Sequence, residues 1–552
     1  MPDREREPMK FEFEKVYLAV FVTVFLLIGI GFLWDHQLKH EFPYGYMASD
    51  SFQHQVRAES IKDAENYRNE ASYIVFGNDN IIGYYPPILY HLSVLFSYAS
   101  GLPTYDTIYF IPFFGAMIAA LLIFFLIRSF NKQVAILALP FSVLVFAGAL
   151  YTGFTWGHWP SLTSQFFLVA FIWSLGRLDL KKHWIMQAVF FSAVIMTHTS
   201  EAIFAGLFLM LYLGHSWLIK ELDKNNLLNV VKMGLLTAVL SFYYLIIFRG
   251  IWMVRQPFQF NVVKAWGAPL LFAADFKALW IFMAVGIITS AWLIKKKEFF
   301  VPLVSIALLL FGYANYIGFT DRALQLRFFW PITLAFLFGM GMYQLGKMLI
   351  KSWKTAYSVA IATAFLILFT ATSTAVYPSY QKVVSQGLMD NGHWEGMDWI
   401  AENTPQDAKV YFFYGDIYNQ DALLRNVKRT HFLVVPTDYI QAINDRKIKQ
   451  RYETEQPGDG GGGAATRESL FTFRFLSEEP EHRPKNGETD ICTFDYYIVD
   501  KAASQPALAQ YNILLANEML KTGWIKPAFE NSIMVILKNE NPGADCIEER
   551  DF

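Results

Sequence analysis

The feature that most constrains this chain is its succession of apolar runs, each roughly 17–25 residues long. About 20 apolar residues in a helix cross the ~30 Å hydrocarbon layer of a bilayer. Within that layer only helices and closed barrels satisfy their own backbone groups. The composition agrees. Of 552 residues, 54% are hydrophobic, 17% aromatic and only 17% charged, against about 25% charged in ordinary soluble proteins. A formal net charge of −2 gives no bulk attraction to nucleic acid. The chain reads as a multi-span membrane protein.

The runs place about eleven spans, at 16–33, 105–127, 134–152, 161–176, 184–197, 202–219, 228–248, 278–294, 299–317, 328–346 and 355–376. The first, Val16–Leu33, is too long for a signal-peptide core and lacks a small-residue cleavage site, so it is expected to stay. The segment YYPPILYHLSVLFSYASG (84–101) is apolar, but it has two prolines at its start and only about a dozen apolar positions. As an interfacial or re-entrant helix it leaves Arg128/Lys132, Arg177/Lys181/Lys182, Lys295–Lys297 and Lys347/Lys351/Lys354 on one side. That is the positive-inside pattern, with the N-terminus in the cytosol and the C-terminus outside. As a twelfth span it would reverse the topology.

After Pro378 the chain turns polar. Strand-like runs KVYFFYG (409–415), THFLVV (430–435), FDYYIVD (494–500) and SIMVILK (532–538) alternate with helical patterns at 393–403 and 420–429. The expected organisation is a transmembrane domain over 1–377 and an extracytoplasmic α/β domain over 378–552. GDGGGGAATRES (458–469) lacks the lysine–hydroxyl ending of a phosphate loop and reads as a surface loop. Cys492 and Cys546 would both lie in an oxidising compartment, which makes them a disulfide candidate.

With this topology the ionisable residues gather at the outer ends of the spans. In ASDSFQHQVRAESI (48–61), Asp50, His54 and Arg57 are spaced by four and three, one face of a helix. Ser49 or Asp50 as a helix cap, with Gln53 as capping-box partner, explains the carboxylate equally. Tyr84, Tyr85 and His91 follow. The second outer loop carries Trp156, His158 and Trp159, and the third His198 and Glu201. Later loops carry Arg249, then Asp321, Arg322 and Arg327. Arginine grips phosphate bidentately, while headgroup contact and snorkelling are the plain alternatives. The tryptophans serve equally as interface anchors or as stacking surfaces for a sugar or prenyl chain. Asp50, His54 and His158 are candidate metal ligands, although no ligand spacing supports the set and the cofactor stays unknown.

A reaction on a lipid-borne group fits this layout. A lipid phosphate leaves as an anion and needs positive charge, which Arg249, Arg322 and Arg327 offer. An attacking hydroxyl or amide needs a carboxylate, for which Asp50 is the candidate. A single displacement would invert the anomeric centre. The architecture resembles the GT-C superfamily of membrane glycosyltransferases, which use polyprenyl-phosphate-linked sugars. ASDSFQHQVRAESI resembles the aspartate–aromatic–histidine–arginine helix of that family, and GYYPPILYHL its Tyr-Pro-Pro…His segment. HWEGMDWIAENTPQDAKVYFFYG resembles the start of the soluble domain in oligosaccharyltransferase catalytic subunits. The resemblance implies that Asp50 occupies the catalytic acid/base position and that late-loop basic residues bind the donor phosphate. Where oligosaccharyltransferases carry Trp-Trp-Asp-Tyr-Gly, this chain has FFYGD (412–416), and TGFTWGHWPS lacks their second-loop carboxylate. The implied partners are a polyprenyl-phosphate-linked sugar, membrane lipids and a glycan, lipid or protein acceptor. The implied location is the plasma membrane. A lipid or solute transporter or flippase, and a non-catalytic membrane scaffold, are the alternatives. The scarcity of charge in the span centres runs against transport.

Overall fold

A computed structural model describes residues 13–66, 70–75, 81–83, 85–176, 183–220, 222–247, 279–294, 299–312, 329–350, 352–371, 386–413, 421–432, 447–450, 475–477, 487–502 and 506–547. The first helix, α1 (Phe13–Leu33), runs on through a π-helical turn at Trp34–Leu38. It is followed by α2 (Ser49–Ala64), α3 (Ile88–Ser100), α4 (Thr104–Phe130), α5 (Lys132–Ala138), α6 (Gly148–Thr155), α7 (Trp159–Leu175), α8 (His183–Ile195), α9 (Thr199–Leu218) and α10 (Lys224–Leu240). Helices Trp280–Leu293, Phe300–Gly312, Ala335–Leu349 and Thr355–Ala371 also belong to the bundle.

Among the described residues three helices, Phe13–Leu38, Thr104–Phe130 and Thr199–Leu218, are long and apolar enough to cross a membrane. The other expected spans coincide with shorter helices. The run at 134–152 is not one helix. Pro140 has no amide hydrogen to donate, and the chain passes from α5 into a 3₁₀ stretch at Leu139–Phe146 before α6. Likewise Trp330–Thr333 is a separate short turn ahead of Ala335–Leu349. The segment at 84–101 forms only the 13-residue α3, about 20 Å at 1.5 Å per residue and short of the hydrocarbon layer. It ends on Gly101 at φ 76°, a left-handed C-cap that glycine adopts without strain.

The two ends of the bundle differ. At one, Glu14 near the start of α1 pairs with Arg128 at the end of α4 and with Lys132. At the other, α2 and α3 lie against the start of α4, and the α/β part rests on α2.

The α/β part contains a five-stranded sheet. Its strands are β2 (Lys409–Phe413), β3 (Thr430–Phe432), β7 (Tyr496–Asp500), β8 (Ile525–Glu530) and β9 (Met534–Asn539), in the order β3-β2-β7-β9-β8. β3, β2 and β7 are parallel, while β9 is antiparallel to both β7 and β8. Strand β7 is buried along its whole length, as a strand covered on both faces should be. Helices Asn391–Asn403 and Pro506–Lys521 pack on the sheet. Two separate two-stranded ribbons accompany it. β1 (Ile81–Gly83) pairs with β5 (Phe475–Ser477), and β4 (Lys447–Gln450) with β6 (Gly487–Asp490). The loop at 458–469 lies outside the described residues.

Cys492 and Cys546 are bonded to each other across 54 positions. In the chain-entropy model such a closure stabilises by roughly 4 kcal/mol.

A charged clamp joins the first α/β helix to the sheet. Asp390 caps Asn391–Asn403, accepting from the His393 amide at 2.7 Å. The His393 ring lies between Asp390 (2.5 Å) and buried Asp500 (3.3 Å). Burial alone would lower the imidazole pKa, but the two carboxylates outweigh it and raise it to about 9. The folded state thus holds the proton more tightly than the unfolded chain, whose imidazole has a pKa near 6.5. The stabilisation is complete below pH 6.5 and is lost as pH rises through about 9. It is on the order of 3 kcal/mol. Thermal unfolding between pH 6 and 10 should show a fall in stability over this window that His393→Asn lacks.

Candidate functional site

The site is best built from α2. Its N-cap is Ala48, whose methyl side chain makes no capping hydrogen bond. Asp50 is therefore not the cap, and the capping-box reading gives way. Asp50 sits half-buried in the first turn, where the positive end of the helix dipole complements a carboxylate.

The turn before α7 holds this end of α2 in place. Ser51 Oγ donates to the Thr155 carbonyl at 2.9 Å, and the Met47 amide donates to the same oxygen at 2.9 Å. Gly157 has φ +76°, and a Cβ there would lie 2.4 Å from the Ser51 nitrogen and 2.7 Å from the Asp50 carbonyl carbon. Only glycine permits this approach, and it brings His158 up beside the start of α2.

His54 and Arg57 lie on the same side of α2 as Asp50 and are buried. His54 Nδ1 shares a hydrogen bond with the Tyr90 hydroxyl at 2.8 Å, and its ring meets Tyr85 edge-on at 5.1 Å. Arg57 donates to Glu70 at 3.1 Å and lies 5.2 Å from the Tyr85 ring centre. Glu70 also accepts from Ser60 at 3.2 Å. The three-residue face is real. Two of its members, though, are built into the protein's own contacts.

A second cluster forms across α7 and α9. Buried Glu201 accepts from Ser161 at 2.7 Å and from Gln165 at 3.4 Å, and pairs with His198. Gln165 Oε1 also accepts the Phe329 amide, so the carboxylate is tied to the start of the Trp330–Thr333 turn. The Ile88 amide of α3 donates to the Met196 carbonyl in the turn before α9, at 3.0 Å. Among the described residues, the candidates from the first three of these loops thus meet at one end of the bundle, the end that carries the α/β part.

Some expectations change. Trp159 is fully buried, packed on Tyr46 and Tyr109 with its Nε1 donating to the Phe154 carbonyl. It is neither a membrane anchor nor a stacking surface. Trp156 is half-buried, edge-on to His158 at 6.4 Å. His91 is half-buried on α3, and burial lowers its pKa. Asp35 pairs with Lys39 at 3.0 Å. Among the described residues no group of three or more His, Cys, Asp and Glu converges to hold a metal ion. Asp50, His54 and His158 therefore do not form a shared ligand set. The His54 hydrogen bond to Tyr90 turns one of its ring nitrogens to structural use. Tyr84, Arg249, Arg322 and Arg327 lie outside the described residues.

Sequence reading missed the residues that lock α2 to its surroundings. Lys428, in a left-handed backbone conformation, donates to Glu59 at 2.7 Å and pairs with Asp63 at 3.0 Å. Glu59 also accepts from Thr104 at the start of α4. Burial raises the Glu59 pKa, but Lys428 and the Thr104 hydroxyl outweigh that and hold it below the usual range. The Gly387 and Leu388 amides donate to the Tyr44 and Tyr46 carbonyls just before α2, at 2.7 and 2.8 Å.

No family model and no curated protein matches the sequence. Solved structures match its fold. Oligosaccharyltransferase from Archaeoglobus fulgidus aligns at a TM-score of 0.57 and 13% identity, over 91% of this chain and 72% of that one. ArnT from Cupriavidus metallidurans, solved with undecaprenyl phosphate, aligns at 0.56 and 12% identity, over 97% of this chain and 99% of that one. A structure of the archaeal enzyme AglB in complex with an inhibitory peptide and a dolichol-phosphate aligns at 0.54 and 11% identity. This chain carries the GT-C fold. At these identities the likeness concerns the fold alone. The GT-C fold accounts for the element order, with helices forming a bundle and an α/β part closing the chain.

Proposed function

We propose that the protein transfers a sugar from a polyprenyl-phosphate-linked donor to an acceptor at the outer face of the plasma membrane, with inversion. The observation that carries this reading is the fold match over nearly all of both chains to ArnT, a protein solved with undecaprenyl phosphate. The chain would cross about eleven times, with residues 1–377 in the membrane and 378–552 outside, as the loop charges favour.

Asp50 is the general base. It is the carboxylate in the first turn of α2, where the helix backbone packs against Gly157, the residue before His158. Its role is to orient the attacking acceptor group and take its proton. Arg249, Arg322 and Arg327 stabilise the departing lipid phosphate, which needs charge and no proton. His54 and Arg57 hold Tyr90, Tyr85 and Glu70 around the helix and so fix where Asp50 points. No step is assigned to a metal.

Binding of the phosphate is measurable apart from turnover. Undecaprenyl phosphate at 100 times its Kd should stabilise the detergent-solubilised protein by about 2.7 kcal/mol. The Arg322→Ala/Arg327→Ala double variant should lose most of that gain. An equal gain in wild type and variant would remove the arginines from the reading.

A further inference from the structure

The α/β part grips α2 with a lysine. Lys428 donates to Glu59 Oε1 at 2.7 Å and pairs with Asp63 Oδ2 at 3.0 Å. Glu59 and Asp63 are four positions apart, neighbours on one face of the helix. Glu59 Oε2 in turn accepts from Thr104 at the start of α4, a helix long enough to cross the membrane. The α/β part, α2 and α4 thus meet on one carboxylate. Burial alone would lower the Lys428 pKa, but Glu59 and Asp63 outweigh it and raise it, so the lysine stays charged at neutral pH.

The backbone at Lys428 points to a duty for its side chain. Its φ is +52°, in the left-handed region that glycine and asparagine adopt with less strain. A lysine has no local reason to be there. Such outliers persist where the surroundings over-determine them, and they cluster at working sites. Here the surroundings are explicit. The Lys428 amide donates to the Arg425 carbonyl at 3.1 Å, and the Lys428 carbonyl accepts from Arg429 at 2.8 Å. Arg429 is itself tied to the Ala401 and Thr404 carbonyls, at the end of helix Asn391–Asn403. Lys428 is therefore a fixed arm of the α/β part, with its ammonium group aimed at α2.

The direction of a helix is set by holding it at two separated points. Ser51 and the close approach of Gly157 hold the start of α2 to the turn before α7. Glu59 and Asp63 are held eight and twelve positions after Ser51, about 12 and 18 Å along the axis at 1.5 Å per residue. Bonds to Tyr90 and Ser97 add ties to α3, and Lys428 adds the tie to the α/β part. With the start of α2 as pivot, the Lys428 end sets the tilt of the helix. Asp50 lies one residue before the pivot. We propose that Lys428 is a positioning residue for the transfer: through Glu59 and Asp63 it fixes the orientation of α2, which gives the α/β part a working role in aiming Asp50. The proposal rests on the glycosyl-transfer reading above. Lys428 itself takes no chemical step.

The test uses the full-length protein in detergent and combines transfer kinetics, thermal unfolding and amide hydrogen exchange across residues 51–58. Lys428→Gly removes the arm at a backbone that glycine prefers, so the fold is kept. The expected result is a fall in kcat of about tenfold to a hundredfold, the scale of a ~1 Å misplacement. KM for both substrates and the unfolding temperature should stay near wild type. Exchange at 51–58 should quicken. Lys428→Arg should restore kcat and exchange, because a guanidinium reaches the same two carboxylates. Glu59→Gln keeps an acceptor for Thr104 but loses the charge, and should lower kcat similarly. The Lys428→Gly/Glu59→Gln double variant should fall no further, since both changes break one interaction. Lys526→Met, which removes an ion pair with Glu540 on the sheet edge, should change none of these quantities. A folded Lys428→Gly with wild-type kcat would overturn the proposal. So would a joint loss of kcat, KM and stability that Lys428→Arg does not rescue, or losses that multiply in the double variant. Should Lys428→Gly not fold, Glu59→Gln decides alone, and a wild-type kcat there overturns the proposal. Full transfer by Asp50→Asn, with exchange at 51–58 still quickened by Lys428→Gly, would instead sink the catalytic reading of Asp50 and leave the clamp standing.

Discussion

Asp50→Asn is expected to lower sugar transfer by about 10²- to 10⁴-fold, the usual contribution of a positioned general base. That is roughly 3–5 kcal/mol of transition-state stabilisation. The folded state should be little affected. Asp50 is half-buried at the start of α2, whose position is set by Ser51, Gly157 and Lys428. Asparagine keeps the shape and one carbonyl acceptor but cannot take a proton. The measurement pairs initial rates with thermal unfolding in the same detergent. A large rate loss with unchanged unfolding places Asp50 in the chemistry. A parallel loss of both would make it a structural residue.

Glu70→Ala is expected to act in the opposite way, destabilising by about 3–5 kcal/mol. Arg57 and Glu70 expose only 3% and 9% of their side chains. Removing one member of such a pair withdraws the compensation for a buried charge, which costs far more than the pair itself contributes. Glu70→Ala also strips an acceptor from Ser60, whose hydroxyl receives the Ala71 amide. Replacing both Arg57 and Glu70 with methionine should recover most of the stability, since no buried charge then remains. If the double variant folds yet transfers no sugar, Arg57 contributes to the reaction as well as to the packing. If Glu70→Ala unfolds at the wild-type temperature, the pair has no such structural weight.

The sequence made some of this legible and hid the rest for identifiable reasons. Apolar runs and the polar tail beyond Pro378 announced a membrane bundle and an α/β part, because burial in lipid and burial in a sheet leave different periods. Four strands were visible as β-branched and aromatic runs, and all four lie in the central sheet. The fifth, β8, was not. IKPAFE carries a proline and lies at the sheet edge, half exposed, so it lacks the signature of a buried strand. The two ribbons are too short to show a period. The interrupted helix at 134–152 follows from Pro140, which a hydropathy average smooths away.

In the site, spacing alone found the Asp50–His54–Arg57 face, since four- and three-residue steps are local geometry. Their partners were beyond it. Lys428 is 369 positions from Glu59, and Glu201 meets Gln165 and Ser161 only through helix packing. No local pattern marks such pairs. Trp159 was misread because an aromatic at a span end looks the same whether it faces lipid or the core.

The central claim is that this fold cleaves a sugar from a polyprenyl phosphate using Asp50. Its most direct measurement is chromatographic detection of free polyprenyl phosphate, with purified protein in liposomes, a radiolabelled polyprenyl-phosphate-linked sugar and a mixture of candidate acceptors. The account predicts that lipid phosphate and labelled product appear in equal amounts with wild type, and that both fall at least a hundredfold with Asp50→Asn. Release of lipid phosphate at the same rate by both proteins would contradict it.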